Sequence, residues 1–105
     1  YRDAFAIAIF NGEGLESPTI GGAKAANQLL DISGIKASFV ITEYNEKIYI
    51  SARSIDEVNV QLVMEKLGGG GHMSIAGAQL TGCTVKEAVD IIKETLDNML
   101  AEGEI

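Results

Sequence analysis

Apolar positions recur along the chain with two periods, and the switches between them mark the elements. Ala4 to Phe10 is an apolar run of strand length, with Phe5, Ile7 and Ile9 on one side. Ala4, Ala6 and Ala8 make the other side flat enough for a helix to pack closely. Asn11-Gly12-Glu13-Gly14 predicts a loop. Ser17-Pro18 then predicts an N-cap with proline in the first helical position. That helix runs to about Leu30, its first turn weakened by Gly21 and Gly22. Ile35 to Thr42 and Lys47 to Arg53 predict a hairpin around the turn Glu43-Tyr44-Asn45-Glu46. On the returning strand Ile48, Ile50 and Ala52 share one face and Tyr49, Ser51 and Arg53 the other. Ser54-Ile55-Asp56-Glu57 has the spacing of a capping box, ahead of a helix with Ile55, Val58, Leu62 and Leu67 on its stripe. Glycines end it, and Ala76 to Thr81 forms a short strand. Thr84-Val85-Lys86-Glu87 is a second capping box. Val85, Ala88, Val89, Ile92, Leu96, Met99 and Leu100 follow at helical spacing. The order strand, helix, strand, strand, helix, strand, helix predicts an α/β fold: a mixed sheet of about four to five strands covered by three helices.

The 105 residues fit one domain, 1–105, with one core. No apolar run approaches a membrane span, and no signal peptide is visible. The lone Cys83 cannot form an internal disulfide, which favours a reducing cytoplasm; it reads as a small buried thiol. A first residue that is not Met, with strand pattern starting within three residues, suggests a fragment cut from a longer protein or an expressed domain. The net charge of −7 argues against a broad track for long nucleic acid, which needs a basic surface, while leaving room for a local phosphate pocket. One His, one Cys and scattered acids do not compose a hydrolytic metal centre.

The chemistry concentrates in Gly68-Gly69-Gly70-Gly71-His72. One glycine would stop a helix. Four in a row suggest a backbone that turns its amides toward an anion, with the sole histidine adding a hydrogen bond or a charge. Arg53, at a strand end before the expected helix N-terminus, offers a guanidinium for the same phosphate; pairing with a surface acid is the equal alternative. Ser51 shares its face, and Asn59 is within reach of a base or ribose. Gln79 is placed to cap a loop or to meet a ligand. Arg53 and the glycines stand at opposite ends of one predicted helix, roughly 18 Å apart. They meet at one ligand only if the loop folds back or the ligand is long.

Ser51-Ala52-Arg53-Ser54, Asn59-Val60-Gln61, Leu67 through His72, Ala76 and Gln79 together resemble the DHH-associated C-terminal domain of DHH-family phosphoesterases. The resemblance covers nearly the whole chain. Three residues separate His72 from Ala76, as in the membrane-anchored cyclic-di-AMP phosphodiesterase branch. Ala76-Gly77 is similar to the oligoribonuclease branch, which cleaves very short RNA. The resemblance implies a division of labour. A separate DHH domain of the same parent chain holds two metal ions, usually manganese, and this domain contacts substrate through Arg53 and Gly68, Gly69, Gly70, Gly71 and His72, with Ser51 and Asn59 as weaker contributors.

The expectation is a cytoplasmic substrate-binding domain, on a parent that is itself membrane-anchored in the first branch, serving hydrolysis of cyclic-di-AMP. The isolated chain lacks a cofactor of its own and does not hydrolyse. The alternatives are a domain of a short-RNA or single-stranded DNA exonuclease of the same family and a non-catalytic nucleotide-binding module. A structural role, with a homodimer formed through the last helix, leaves the glycine run unexplained.

Overall fold

The computed structural model describes residues 1, 4–10, 18–55 and 58–105. Their elements are β1 (Phe5–Phe10), α1 (Pro18–Leu29), β2 (Ala37–Tyr44), β3 (Lys47–Ser54), α2 (Val60–Lys66), β4 (Gly70–Gly71), β5 (Ile75–Leu80) and α3 (Val85–Ala101). The five strands form one mixed sheet in the order β1-β2-β3-β5-β4. β1 runs parallel to β2, and every other pairing is antiparallel. The expected strand and helix order is present, with β4 as the added strand.

Side chains alternate across the sheet and sort into two faces. One face carries Phe5, Phe39, Ile41, Ile48, Ile50, Ala52, Ala76 and Ala78. It is closed by Val60, Val63 and Met64 of α2 and by Ala88, Ile92, Leu96 and Met99 of α3. Helix α1 covers the other face over β1, β2 and β3. There the Ser38 hydroxyl donates to the Ala26 carbonyl at 2.6 Å. Gly22 is buried in that interface, and a methyl on it would overlap Thr42 Oγ1. The alanine side of β1 accordingly shares a face with Ser38 and Val40, whereas Ile9, on the opposite side, is 60% exposed.

The hairpin β2–β3 turns in two residues rather than four. Asn45 and Glu46 both have positive φ, 52° and 64°, as a type I′ turn requires. The second capping box forms as expected: Thr84 Oγ1 accepts from Glu87 N–H at 3.1 Å, and Glu87 Oε1 accepts from Thr84 N–H at 2.9 Å.

Ser54 does not act as the N-cap of α2. Ser54 stays in β3, and α2 begins at Val60 behind Asn59; Asp56 and Glu57 lie outside the described residues, as do the predicted loop 11–14 and the N-cap Ser17. The expected stripe is also shifted. Ile55 and Leu62 are exposed, while Val58, Val60, Val63 and Met64 are buried. The asparagine side chain competes successfully for the helix start because its carbonyl accepts two first-turn amides.

Candidate functional site

Past the seven residues of α2 the chain reverses. The α2 helix ends with Gly68 at φ 85°, where Gly68 N–H donates to Glu65 O and Gly69 N–H to Met64 O at 2.8 Å. These are the bonds of a glycine-terminated helix end. A methyl on Gly69 would overlap the Gly77 carbonyl, and one on Gly71, at φ 144°, would strike Ala76. Three of the four glycines therefore have structural reasons. Gly70 has neither: its φ is not left-handed, and a methyl there would meet nothing within 4 Å.

Pairing of Gly70 with Gly77 and of Gly71 with Ala76 lays the glycine run along β5. His72 N–H then donates to Ile75 O at 2.6 Å and extends the register by one residue. Since Ile75 pairs with Arg53, a single transverse row runs Ser38, Arg53, Ile75, His72. Arg53 and His72 stand two strands apart, about 10 Å. The obstacle of opposite helix ends disappears because α2 is short and the chain folds back through β4. The next row on this face runs Val40, Ser51, Gly77, Gly70, and the one after it Thr42, Tyr49, Gln79. On β5, Ile75 is 52% exposed and Gln79 is exposed. The β5 and β4 part of these rows is an open strip beside α1, with Gly77 and Gly70 in its middle row.

Arg53 is half-buried and spends one N–H on the Ala52 carbonyl at 2.8 Å. Among the described residues no carboxylate pairs with it. Partial burial pulls its pKa below the ordinary guanidinium value, yet a guanidinium stays charged at physiological pH. Its remaining donors are available to an anion. The helix N-terminus expected beside it is different. Val60 N–H donates to Met73 O at 3.0 Å, and Gln61 and Leu62 N–H donate to Asn59 Oδ1 at 3.0 and 3.3 Å. Those amides are already satisfied, so this end of α2 is not an anion cradle. The same bonds commit Asn59 Oδ1 to capping and leave only its Nδ2 donors for a ligand.

Thr42 was not singled out by the sequence and lies 1% exposed with Oγ1 unpartnered among the described residues. Its place under Gly22 depends on long-range packing that no local pattern encodes. A cleft of about 300 Å³ opens elsewhere, lined by Lys66, Thr95, Asn98, Met99 and Glu102 of the α2–α3 side. It contains none of the predicted site residues. Among the described residues no group of three or more His, Cys, Asp or Glu could hold a metal ion, and no helix is long and apolar enough to cross a membrane. Cys83 is a half-buried free thiol against the core.

The family model described as the DHHA1 domain matches residues 5–102. The cyclic-di-AMP phosphodiesterase PdeA of Listeria monocytogenes is 46% identical over 98 residues, covering 92% of this chain and 15% of that protein. The cyclic-di-AMP phosphodiesterase GdpP of Bacillus subtilis is 45% identical over 82 residues, covering 77% and 12%. An exopolyphosphatase-related protein from Bacteroides fragilis superposes with a TM-score of 0.81 at 25% identity, over 94% of this chain and 30% of that one. The chain thus spans less than a sixth of the curated relatives named. With a family model matched over nearly its full length and relatives above 40% identity, this chain belongs to the DHHA1 domain family.

Proposed function

We propose that this domain positions a cyclic dinucleotide, cyclic-di-AMP in the first instance, for hydrolysis by a phosphodiesterase of which it is one part. The observation that carries the reading is the transverse alignment of Arg53 with His72 across an open strip, with Ser51 and Gly70 in the adjacent row. A guanidinium with free donors takes a phosphate through paired hydrogen bonds, and a side-chain-free middle row lets a flat ligand approach the backbone. Names of the relatives supply the substrate class. The described residues do not fit a hydrolytic metal centre, so the reading assigns the metal, manganese by resemblance, to a DHH domain of the parent chain. What remains here is orientation, which lowers the barrier by fixing the reacting phosphate rather than by attacking it. Cytoplasmic placement and a membrane anchor elsewhere in the parent belong to the same proposal.

Replacing Arg53 by Ala in the full-length protein tests it. Loss of a charged hydrogen-bond donor at the phosphate is expected to lower kcat/KM for cyclic-di-AMP by roughly tenfold or more, with the unfolding temperature kept. Arg53→Lys recovers only part, because a point charge does not reproduce the paired bonds. Unchanged kinetics in Arg53→Ala removes Arg53 from the site. Manganese-dependent turnover by the 105 residues alone contradicts the assignment of the chemistry to another domain.

A further inference from the structure

The tip of the β4–β5 hairpin is held by a residue that the proposed site leaves unused. His72, Met73, Ser74 and Ile75 are all exposed, Met73 at 53% and Ile75 at 52%. Burial does little to anchor such a tip, and exposed segments of this kind open easily. Its anchors are polar and lie on β3 and at the start of α2. Ser54 N–H donates to Ser74 O at 3.0 Å, and Ser54 Oγ donates to Met73 O at 3.2 Å. Val60 N–H donates to that same Met73 carbonyl at 3.0 Å. Ser54 is therefore bonded to both residues that follow His72. It is 6% exposed and directly follows Arg53, and its side chain takes the opposite face of β3.

We infer that Ser54 is a positioning residue: its hydroxyl fixes the Met73 peptide and so holds His72 at its place across from Arg53. This rests on the nucleotide-positioning function proposed above and adds to it a residue on the far face of the sheet, away from the ligand. Arg53 and His72 sit on different strands with Ile75 between them. The bond from His72 N–H to Ile75 O sets the register on one side of His72. The Met73 carbonyl sets the direction of the chain on the other side, and Ser54 ties that carbonyl to the strand that bears Arg53. The hydroxyl is separable from the fold. Without it Met73 O keeps the Val60 N–H, and the backbone bond from Ser54 to Ser74 remains, so no buried polar group is stranded.

In the full-length protein Ser54→Ala is expected to lower kcat/KM for cyclic-di-AMP by roughly fivefold, with an unfolding temperature above that of the assay. Ser54→Thr keeps the hydroxyl and is expected to recover most of the loss; a folded Thr variant that recovers none of it contradicts the assignment. The decisive comparison is a double-mutant cycle with His72→Ala. A residue that acts through His72 has little left to lose once the imidazole is gone. In the His72→Ala background Ser54→Ala is therefore expected to change kcat/KM by less than about twofold. A serine that only supports the fold costs the same factor in both backgrounds. That equal cost, or an unchanged kcat/KM in Ser54→Ala, overturns positioning by Ser54 and leaves the site standing. Should Ser54→Ala not fold, Ser54→Cys, similar in shape and a weak donor, replaces it in the cycle. Unchanged kcat/KM in His72→Ala overturns the site reading and the role of Ser54 together.

Discussion

Gly70 separates the two explanations of the glycine run more cleanly than any other residue. Gly68, Gly69 and Gly71 are required by a left-handed turn or by close approach to β5, so their replacement damages the fold whatever they bind. Gly70→Ala puts a methyl into open space and is expected to leave stability unchanged or to raise it by up to about 1 kcal/mol through the unfolded chain. It should nonetheless weaken nucleotide binding, measured by titration alongside urea unfolding. Undiminished binding would mean that no ligand approaches the backbone there. Gly22 is the opposite case. In a solvent-facing helix, Gly→Ala gains up to about 1 kcal/mol. Here the methyl overlaps the buried Thr42 hydroxyl, and displacing α1 from the sheet costs about 1–3 kcal/mol. Gly22→Ala is therefore expected to lower the urea midpoint, and a raised midpoint would show that α1 accommodates the methyl.

Among the elements, α3 and the two central strands were legible because their signals are local and redundant. The capping box at Thr84 and the run from Val85 to Met99 agree on one helix, and the alternation Ile48, Ile50, Ala52 against Tyr49, Ser51, Arg53 fixes both faces of β3. The start of α2 was misplaced because Ser54 and Asn59 are both good caps. The choice between them is made by Ser54 pairing into the sheet, with its N–H on Ser74 O and its hydroxyl on Met73 O. β4 left no signal at all, since two glycines have no side-chain period. The α3 box makes a prediction about acid. Hydrogen bonds from the Thr84 backbone and side chain hold the Glu87 carboxyl below its ordinary pKa. A depressed carboxylate stabilises the fold above its ordinary pKa, and that contribution is lost as pH falls through the lowered value. Glu87→Gln keeps the cap but cannot titrate, so thermal unfolding should show a shallower loss of stability in acid than the unaltered chain. Thr84→Ala should cost about 1 kcal/mol at neutral pH.

At the scale of the molecule, the sheet order brings the site together. Inserting β5 beside β3, with β4 outside it, sets Arg53 and His72 in one row although 18 residues intervene along the chain. Sequence motifs named both residues, but their separation could not be read from a helix length that was itself overestimated. Helix α1 stops short of closing β5, as the exposure of Ile75 and Gln79 records, and so leaves a strip rather than a buried cavity. An amide-resolved NMR titration of this chain with cyclic-di-AMP and its linear product tests that account most directly. Shifts concentrated at Arg53, Gly70 to His72, Gly77 and Gln79 are the predicted result. Shifts confined to the Lys66–Asn98 cleft, or none at millimolar nucleotide, would contradict it.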